Sequence, residues 1–512
     1  MFLIINYFKK RPAILVFLIT FLVYSPLLFN QFVGDDNIII ARNTFYSSWQ
    51  NVPRLFEKGY ISNTREINLN SGSRFDFGTG SVSYRPISNL TYFLDYSLFQ
   101  AKPFGSHLIN ILIHCVNSVL VYWIVNQIFF SEILGIFAGL LFSLHPIQSE
   151  AVAVMSYRAD ILAAMFVLFS FYFWIRFTRG GFIRKGYYYG SLVMCLLALF
   201  SKESSLMLPI VILVFDQMLG TSFLRLKQNS VYYIGFVPIL FFYLYLYFVV
   251  FPNASLSFHW LGGSIVHHGL IMGYIWYNYL INVLFPWTVK LIPGLYCPSA
   301  PEVVSLVTAQ MVIALMALTA SVCVLWRHSR EAVFFLLWYL IFYPPVSNLV
   351  PIANPMASRF MYLPSIGLIT ALAFFLHNIF KSSFLKKYSL NLSSMLHAGI
   401  ILIYVTKLLF LNADWRNDYF VGRAWVRDYP ADSRGYALLG REYLDAGNLE
   451  KAKEYLEKGV LLGDQVPNEV LNLAKCYIRL GKFRAAEALL NQIISRYPDY
   501  GDALFYLHNL KK

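Results

Sequence analysis

Charge is scarce in this chain. Asp, Glu, Lys and Arg together make only 13% of its 512 residues, about half the share usual in soluble domains. That scarcity excludes a soluble globular enzyme and a disordered chain. Cysteine is sparse and scattered. Cys115, Cys195, Cys297, Cys323 and Cys476 show neither metal-ligand spacing nor a disulfide framework. A nucleotide-binding Gly-rich loop is missing too, so any group transfer must draw its energy from a preactivated substrate. What the chain has in abundance is apolar surface. Hydrophobic residues reach 58% and aromatic residues 18%, with a mean hydropathy of +0.55. This reads as a helical membrane protein with rings at its interfaces. The net charge of +14 then marks cytoplasmic loops and gives no reason to invoke nucleic acid.

The expected fold class is all-α: a polytopic helix bundle of about 11 spans, followed by a tetratricopeptide-repeat α-solenoid. The first apolar run follows Lys9, Lys10 and Arg11 without a small-x-small cleavage site. Spans are expected near 12–30, 107–130, 132–148, 160–177, 187–201, 204–220, 231–252, 303–326, 332–350, 363–380 and 397–412. With this threading, Arg176, Arg179, Arg184 and Lys185, then Arg225 and Lys227, Arg327 and Arg330, and Lys381, Lys386 and Lys387 share the side of the N-terminus. The positive-inside rule makes that side cytoplasmic. The apolar stretch 269–285 would invert later loops if it crossed. It is therefore read as re-entrant or interfacial, with Pro286, Pro293, Pro298 and Pro301 suiting a broken segment. Domains follow: 1–412 in the membrane, with a long external first loop at 31–106, and 413–512 on the non-cytoplasmic side.

Residues 433–500 repeat with a period of 34, the tetratricopeptide length. Tyr436, Leu439, Gly440, Tyr443, Gly447, Ala452 and Leu456 recur as Val470, Leu473, Ala474, Tyr477, Gly481, Ala486 and Leu490. A half repeat from Trp415 to Pro430 comes first, and a truncated helix ends the chain. Such arrays bind peptide segments. Arg441, Lys475 and Arg479 are candidates to line a groove, or equally a solvated face.

Ionisable residues beside membrane spans are costly and usually functional. Here they gather on the external side. Asp35 and Asp36 follow the first span. Arg85 begins an amphipathic segment. His145, Glu150, Arg158 and Asp160 join the third and fourth spans, Lys202 and Glu203 the fifth and sixth, and Arg359 with Tyr362 the ninth and tenth. Carboxylates and cations on one face suit a phosphorylated lipid donor: cations hold phosphate, and a carboxylate deprotonates a hydroxyl. Each residue also has a plain reading. A lone Arg anchors an interface, Asp36 caps a helix, and His145 before Pro146 ends a span.

The motifs Asp35-Asp36, Tyr84-Arg85-Pro86, His107-Leu-Ile-Asn110-Ile-Leu-Ile-His114, His145-Pro-Ile, Glu150-Ala-Val, Arg158-Ala-Asp160, Lys202-Glu203 and Arg359 with Tyr362-Leu-Pro-Ser, together with the repeats, resemble the transmembrane and tetratricopeptide-repeat O-mannosyltransferase family. More distantly they are similar to the protein O-mannosyltransferases. The resemblance implies a GT-C glycosyltransferase taking a sugar, mannose first, from a polyprenyl-phosphate carrier on the non-cytoplasmic side, with inversion. It carries the family's external acidic pair onto Asp35 and Asp36. Where eukaryotic members have long arrays, this chain has about two complete repeats, which leaves the acceptor open between protein Ser/Thr and a glycan.

On this expectation Asp35 is the base. Asp36 orients the acceptor, steadies Asp35 or binds a divalent ion, the only cofactor considered. Arg158, Lys202, Arg359 and, more weakly, Arg85 hold the donor phosphate. His145, Glu150, Asp160, Glu203 and Tyr362 shape the sugar or acceptor pocket, with Asp160 orienting Arg158. The partners are then the lipid-linked donor, an acceptor, a peptide on the repeats and membrane lipid. The short array favours a prokaryotic cell membrane over the endoplasmic reticulum. Two alternatives stay open: an oligosaccharide or surface-glycan transferase using another polyprenyl-linked donor, and a non-enzymatic scaffold. A transporter ranks below both, because the spans show no internal repeat.

Overall fold

The computed structural model describes residues 11–56, 84–100, 102–220, 229–250, 260–292, 306–349, 354–381, 390–463 and 466–510. Lys9, Lys10, Arg225, Lys227, Cys297, Pro293, Pro298, Pro301, Lys386, Lys387 and much of the expected first external loop lie outside the described residues.

Among the described residues the regular structure is all helix. The chain forms α1 (Pro12–Tyr24), α2 (Pro86–Phe99), α3 (Pro103–Phe129), α4 (Glu132–Ser143), α5 (Arg158–Arg179), α6 (Lys185–Leu199), α7 (Leu208–Phe215), α8 (Phe236–Tyr245), α9 (Ile265–Leu284), α10 (Leu306–His328), α11 (Arg330–Phe342), α12 (Ser365–Lys381) and α13 (Leu390–Asp414). Six described helical stretches are long and apolar enough to cross a membrane: Pro12–Phe29, Pro103–Phe129, Met155–Arg179, Ser230–Val250, Thr308–His328 and Ser394–Asp414. A seventh arises if α4 is joined across its 48° bend to Pro146–Ala153. This is a multi-pass membrane protein.

The remaining expected spans are shorter helices, and proline explains two of their ends. α4 stops before Pro146 and α11 before Pro344-Pro345, where the ring removes the N–H the next turn needs. The apolar stretch read as re-entrant or interfacial is helical up to its first proline. α9 runs as one 20-residue helix and ends before Pro286. It is long enough but is not among the six stretches that are also apolar enough to cross. Its contacts tie it to the end of the bundle that carries the acidic loop: His145 Nε2 meets the Val283 carbonyl at 3.0 Å, and the Tyr279 hydroxyl donates to the Ala357 carbonyl at 3.0 Å.

Within the bundle, close approach is made by small residues, as expected where lipid supplies no hydrophobic drive between helices. A Cβ on Gly139 of α4 would sit 2.9 Å from the Ser118 carbonyl of α3. Beside this contact the Thr20 hydroxyl of α1 meets Ser143 Oγ at 2.9 Å and Ser118 Oγ at 3.3 Å. The segment after α1 packs separately: Phe32, Ile40, Tyr46 and Leu55 bury against Tyr92 and Phe93 of α2 and Met155.

The repeats follow as α14 (Asp418–Asp428), α15 (Ser433–Asp445), α16 (Leu449–Leu462), α17 (Pro467–Arg479), α18 (Phe483–Arg496) and α19 (Gly501–Leu510). The periodic residues fill the seams. Ala452 and Leu456 bury with Leu473, and Val470 and Ala474 with Leu490. Arg441 pairs with Asp418 at 2.8 Å, Arg479 donates to the Leu444 carbonyl at 2.7 Å, and Lys475 lies over the Tyr506 ring at 5.1 Å. Each has a partner within the solenoid, Arg441 and Lys475 half-buried and Arg479 exposed.

Candidate active site

The acidic pair sits on a loop that the repeat junction holds in place. Gly34 has φ +51°, the left-handed region that glycine tolerates best. Its N–H donates to Asp418 Oδ1 at 2.8 Å, and the Gln31 N–H donates to the Arg416 carbonyl at 2.9 Å. The two aspartates then diverge. Asp36 is fully buried. Its Oδ2 accepts from the Met155 N–H at 3.1 Å and its Oδ1 from the Ser156 N–H at 2.7 Å. Burial pushes its carboxyl up to about 7, against the pull of these two amides. Asp36 therefore anchors the segment leading into α5. Asp35 instead lines a cleft.

That cleft encloses about 740 Å³ of empty space, its open mouth included. The membrane part contributes Asp35, Glu150, Tyr157, Asn354 and Arg359, and the repeat part Trp415, Asp418 and Trp425. Arg359 is held on three sides. Its Nη1 donates to Glu150 Oε1, its backbone N–H donates to Glu150 Oε2 at 3.0 Å, and its guanidinium lies 3.8 Å from the Tyr157 ring centroid. Burial opposes its charge, but Tyr157, Glu150 and Asp160 outweigh that and hold its pKa above the usual arginine value. A guanidinium has five N–H donors. Glu150 takes one of them.

A second pair lies behind the first. Lys202 Nζ donates to Asp160 Oδ1. Arg359 and Lys202 share the Phe360 ring, at 4.9 and 5.2 Å from its centroid. Burial lowers the Lys202 pKa, partly offset by Asp160. A third pair joins Arg85 to Glu203 through two hydrogen bonds of 3.1 and 2.7 Å. Burial raises the Glu203 carboxyl, but the Arg85 charge outweighs it and the group falls to about 2.

Other expected site residues go elsewhere. Arg158 is fully buried and does not line the cleft. It meets Asp95 at 2.8 Å and 2.9 Å, Asn110 at 2.6 Å, Thr91 at 3.0 Å and the Ser106 carbonyl at 3.2 Å. Asp160 does not orient it, because residues two apart on a helix do not face each other. The Tyr362 hydroxyl meets His114 Nδ1 at 2.6 Å and Asn117 Nδ2 at 2.9 Å, inside the bundle. His145 accepts the Ile147 N–H on Nδ1 at 3.1 Å and donates from Nε2 to the Val283 carbonyl. It caps a turn and is not a cleft residue. Sequence reasoning missed Asp95, Tyr157, Asp418 and the two tryptophans. Only Tyr157 and Asp95 carried a signal, one lying beside Arg158 and the other standing as an acid in an amphipathic helix. Among the described residues no three of His, Cys, Asp and Glu converge as metal ligands.

Residues 86–248 match the family described as dolichyl-phosphate-mannose-protein mannosyltransferase, and residues 444–508 match the tetratricopeptide repeat. The protein O-mannosyl-transferase TMTC3 of Mus musculus is 24% identical over 508 residues, covering 91% of this chain and 52% of its own length. The chain is similar to the protein O-mannosyl-transferases. TMTC4 of Homo sapiens is 25% identical over 439 residues, covering 75% of this chain and 58% of that protein. Tmtc2 of Drosophila melanogaster is 31% identical over 209 residues, covering 40% of this chain and 21% of that protein. The chain spans about half the length of the first curated relatives it matches. Among solved structures, ArnT from Cupriavidus metallidurans bound to undecaprenyl phosphate aligns with 94% of this chain and 80% of its own, at 14% identity and a TM-score of 0.40.

Proposed function

We propose that this chain is a membrane glycosyltransferase of GT-C type that moves mannose from a polyprenyl-phosphate carrier to a hydroxyl acceptor, protein Ser or Thr, on the non-cytoplasmic side. The observation that carries the reading is that Asp35 and Arg359 line one cleft. Asp35 takes the acceptor proton as that oxygen attacks the anomeric carbon. The bond from this carbon to the phosphate oxygen breaks as the new one forms, and the carrier phosphate leaves with the electron pair. One face opens as the other closes, which inverts the centre. Arg359 meets the phosphate through donors that Glu150 does not use and offsets negative charge as it develops, while the Lys202–Asp160 pair packs behind it on the shared Phe360 ring. Asp36 fixes the adjoining loop. Arg158 contributes stability, and Arg85 is held by Glu203 in a pair of its own.

The test is sugar transfer from labelled polyprenyl-phosphate mannose by the purified full chain, with Asp35→Asn beside it. General-base loss is worth about 10²–10⁴-fold. Asp35→Asn is expected to lose that much kcat with an unchanged thermal unfolding profile. Wild-type turnover in the folded variant removes Asp35 from the role. Transfer only from pyrophosphate-linked donors changes the donor class.

A further inference from the structure

A second cleft opens beside the first. It encloses about 1360 Å³ of empty space on the same measure, against about 740 Å³ for its neighbour. Met356 lines both clefts, so the two lie on either side of one residue. The chemistry of the second is different. The C-terminal half of α9 and the turn after it contribute Asn278, Asn282, Thr288 and Lys290, and the loop after α14 contributes Ala431 and Asp432. Lys290 ties the walls together: its Nζ donates to the Asp428 carbonyl at 3.2 Å and lies 4.3 Å from the Tyr429 ring centroid.

We propose that this second cleft binds an extended stretch of acceptor polypeptide and leads its hydroxyl residue into the Asp35–Arg359 cleft. The proposal rests on the transferase reading above. Three observations select a peptide. A lipid tail needs continuous apolar walls, and here Tyr274, Ile275, Ile281 and Met356 alternate with amides and charges. A lipid phosphate or nucleotide needs several cations, whereas Lys290 shares the cleft with Asp428 and Asp432. A peptide backbone alternates donor and acceptor, and carboxamides supply both. Asn278 gives one N–H to the Tyr274 carbonyl at 2.8 Å, and Asn282 Oδ1 accepts one bond from Thr288 at 2.8 Å. A carboxamide has capacity beyond one bond.

The probe is a biotinylated Ser/Thr-rich peptide carrying a benzophenone, photolysed with the purified full chain and mapped by mass spectrometry. Adducts are expected on 274–290 and 428–432. Ala431→Trp adds bulk at an exposed position and is expected to cut labelling several-fold and raise the acceptor KM while leaving the donor KM unchanged. Asn278→Trp does the same from the opposite wall. Adducts confined to other surfaces, no adducts at all, or wild-type labelling in both variants would overturn the cleft. The transferase reading fails separately: a peptide that labels the cleft but receives no sugar from polyprenyl-phosphate mannose sinks that reading and leaves a peptide site. Sugar transfer with labelling only elsewhere does the reverse.

Discussion

Two arginine–carboxylate pairs lie near the same end of the bundle, and they are built for different tasks. Arg158 and Asp95 are wholly enclosed, both 0% exposed. Arg158 makes five hydrogen bonds, to Asn110, Thr91, Ser106 and twice to Asp95, the full donor count of a guanidinium. Arg359 lines a cleft, and its guanidinium gives Glu150 one hydrogen bond. A saturated cation is a strut between helices. A cation with donors left over at a cleft is, on the function proposed above, where the donor's anion would sit. Pairing alone does not separate the two cases; the count of donors used does.

The largest expected effect breaks the strut. Arg158→Ala leaves Asp95 buried and without its cation, which costs about 3–5 kcal/mol. Chemical denaturation in detergent should show that loss, while any folded fraction keeps its donor KM. Arg359→Gln tests the other half of the contrast. It should weaken donor binding about 10- to 100-fold, the value of a charge-assisted hydrogen bond or two; because it also leaves the buried Glu150 without its cation, some stability is lost with it, and the contrast is read from the donor KM of the folded protein. If the two variants exchange phenotypes, the contrast is wrong.

The smallest effect concerns a carboxylate with weaker support than either pair. Glu469 is buried in α17, its Oε2 lacks a hydrogen-bond partner among the described residues, and burial pushes it up to about 7. Its folded pKa exceeds its unfolded one, so the folded state holds this proton more tightly. Repeat stability should be greatest below about pH 4.5 as far as this group is concerned, and fall as pH rises to about 7. Glu469→Gln should remove that slope and add on the order of 1–2 kcal/mol above about pH 7. A pH series of thermal melts of the full chain, followed by a repeat-domain probe, measures it.

How far the sequence reaches is visible in the same residues. The repeats were legible because a period of 34 writes the packing seam directly into spacing. That Asp35 and Arg359 line one cleft was legible as an expected shared side of the membrane. Partner choice was not. Arg158 pairs with Asp95, 63 positions away, and the residue two along the helix that seemed its neighbour pairs with Lys202. Asp418 stands 384 positions from the Gly34 N–H it accepts, and local pattern says nothing about such a contact. Helix ends were half legible: prolines mark where α4 and α11 stop, but hydropathy windows ran past them.

The hydrogen bonds from Gln31 and Gly34 to Arg416 and Asp418 make the first repeat helix a wall of the chamber it adjoins. A shared wall cannot be exchanged as a cassette. A graft cut at residue 413 would remove Trp415, Asp418 and Trp425 from the chamber and unseat the segment bearing Asp35. Lengthening or trading of repeats is thereby confined to the far end of the array, beyond α15, where added helices leave the chamber's walls untouched.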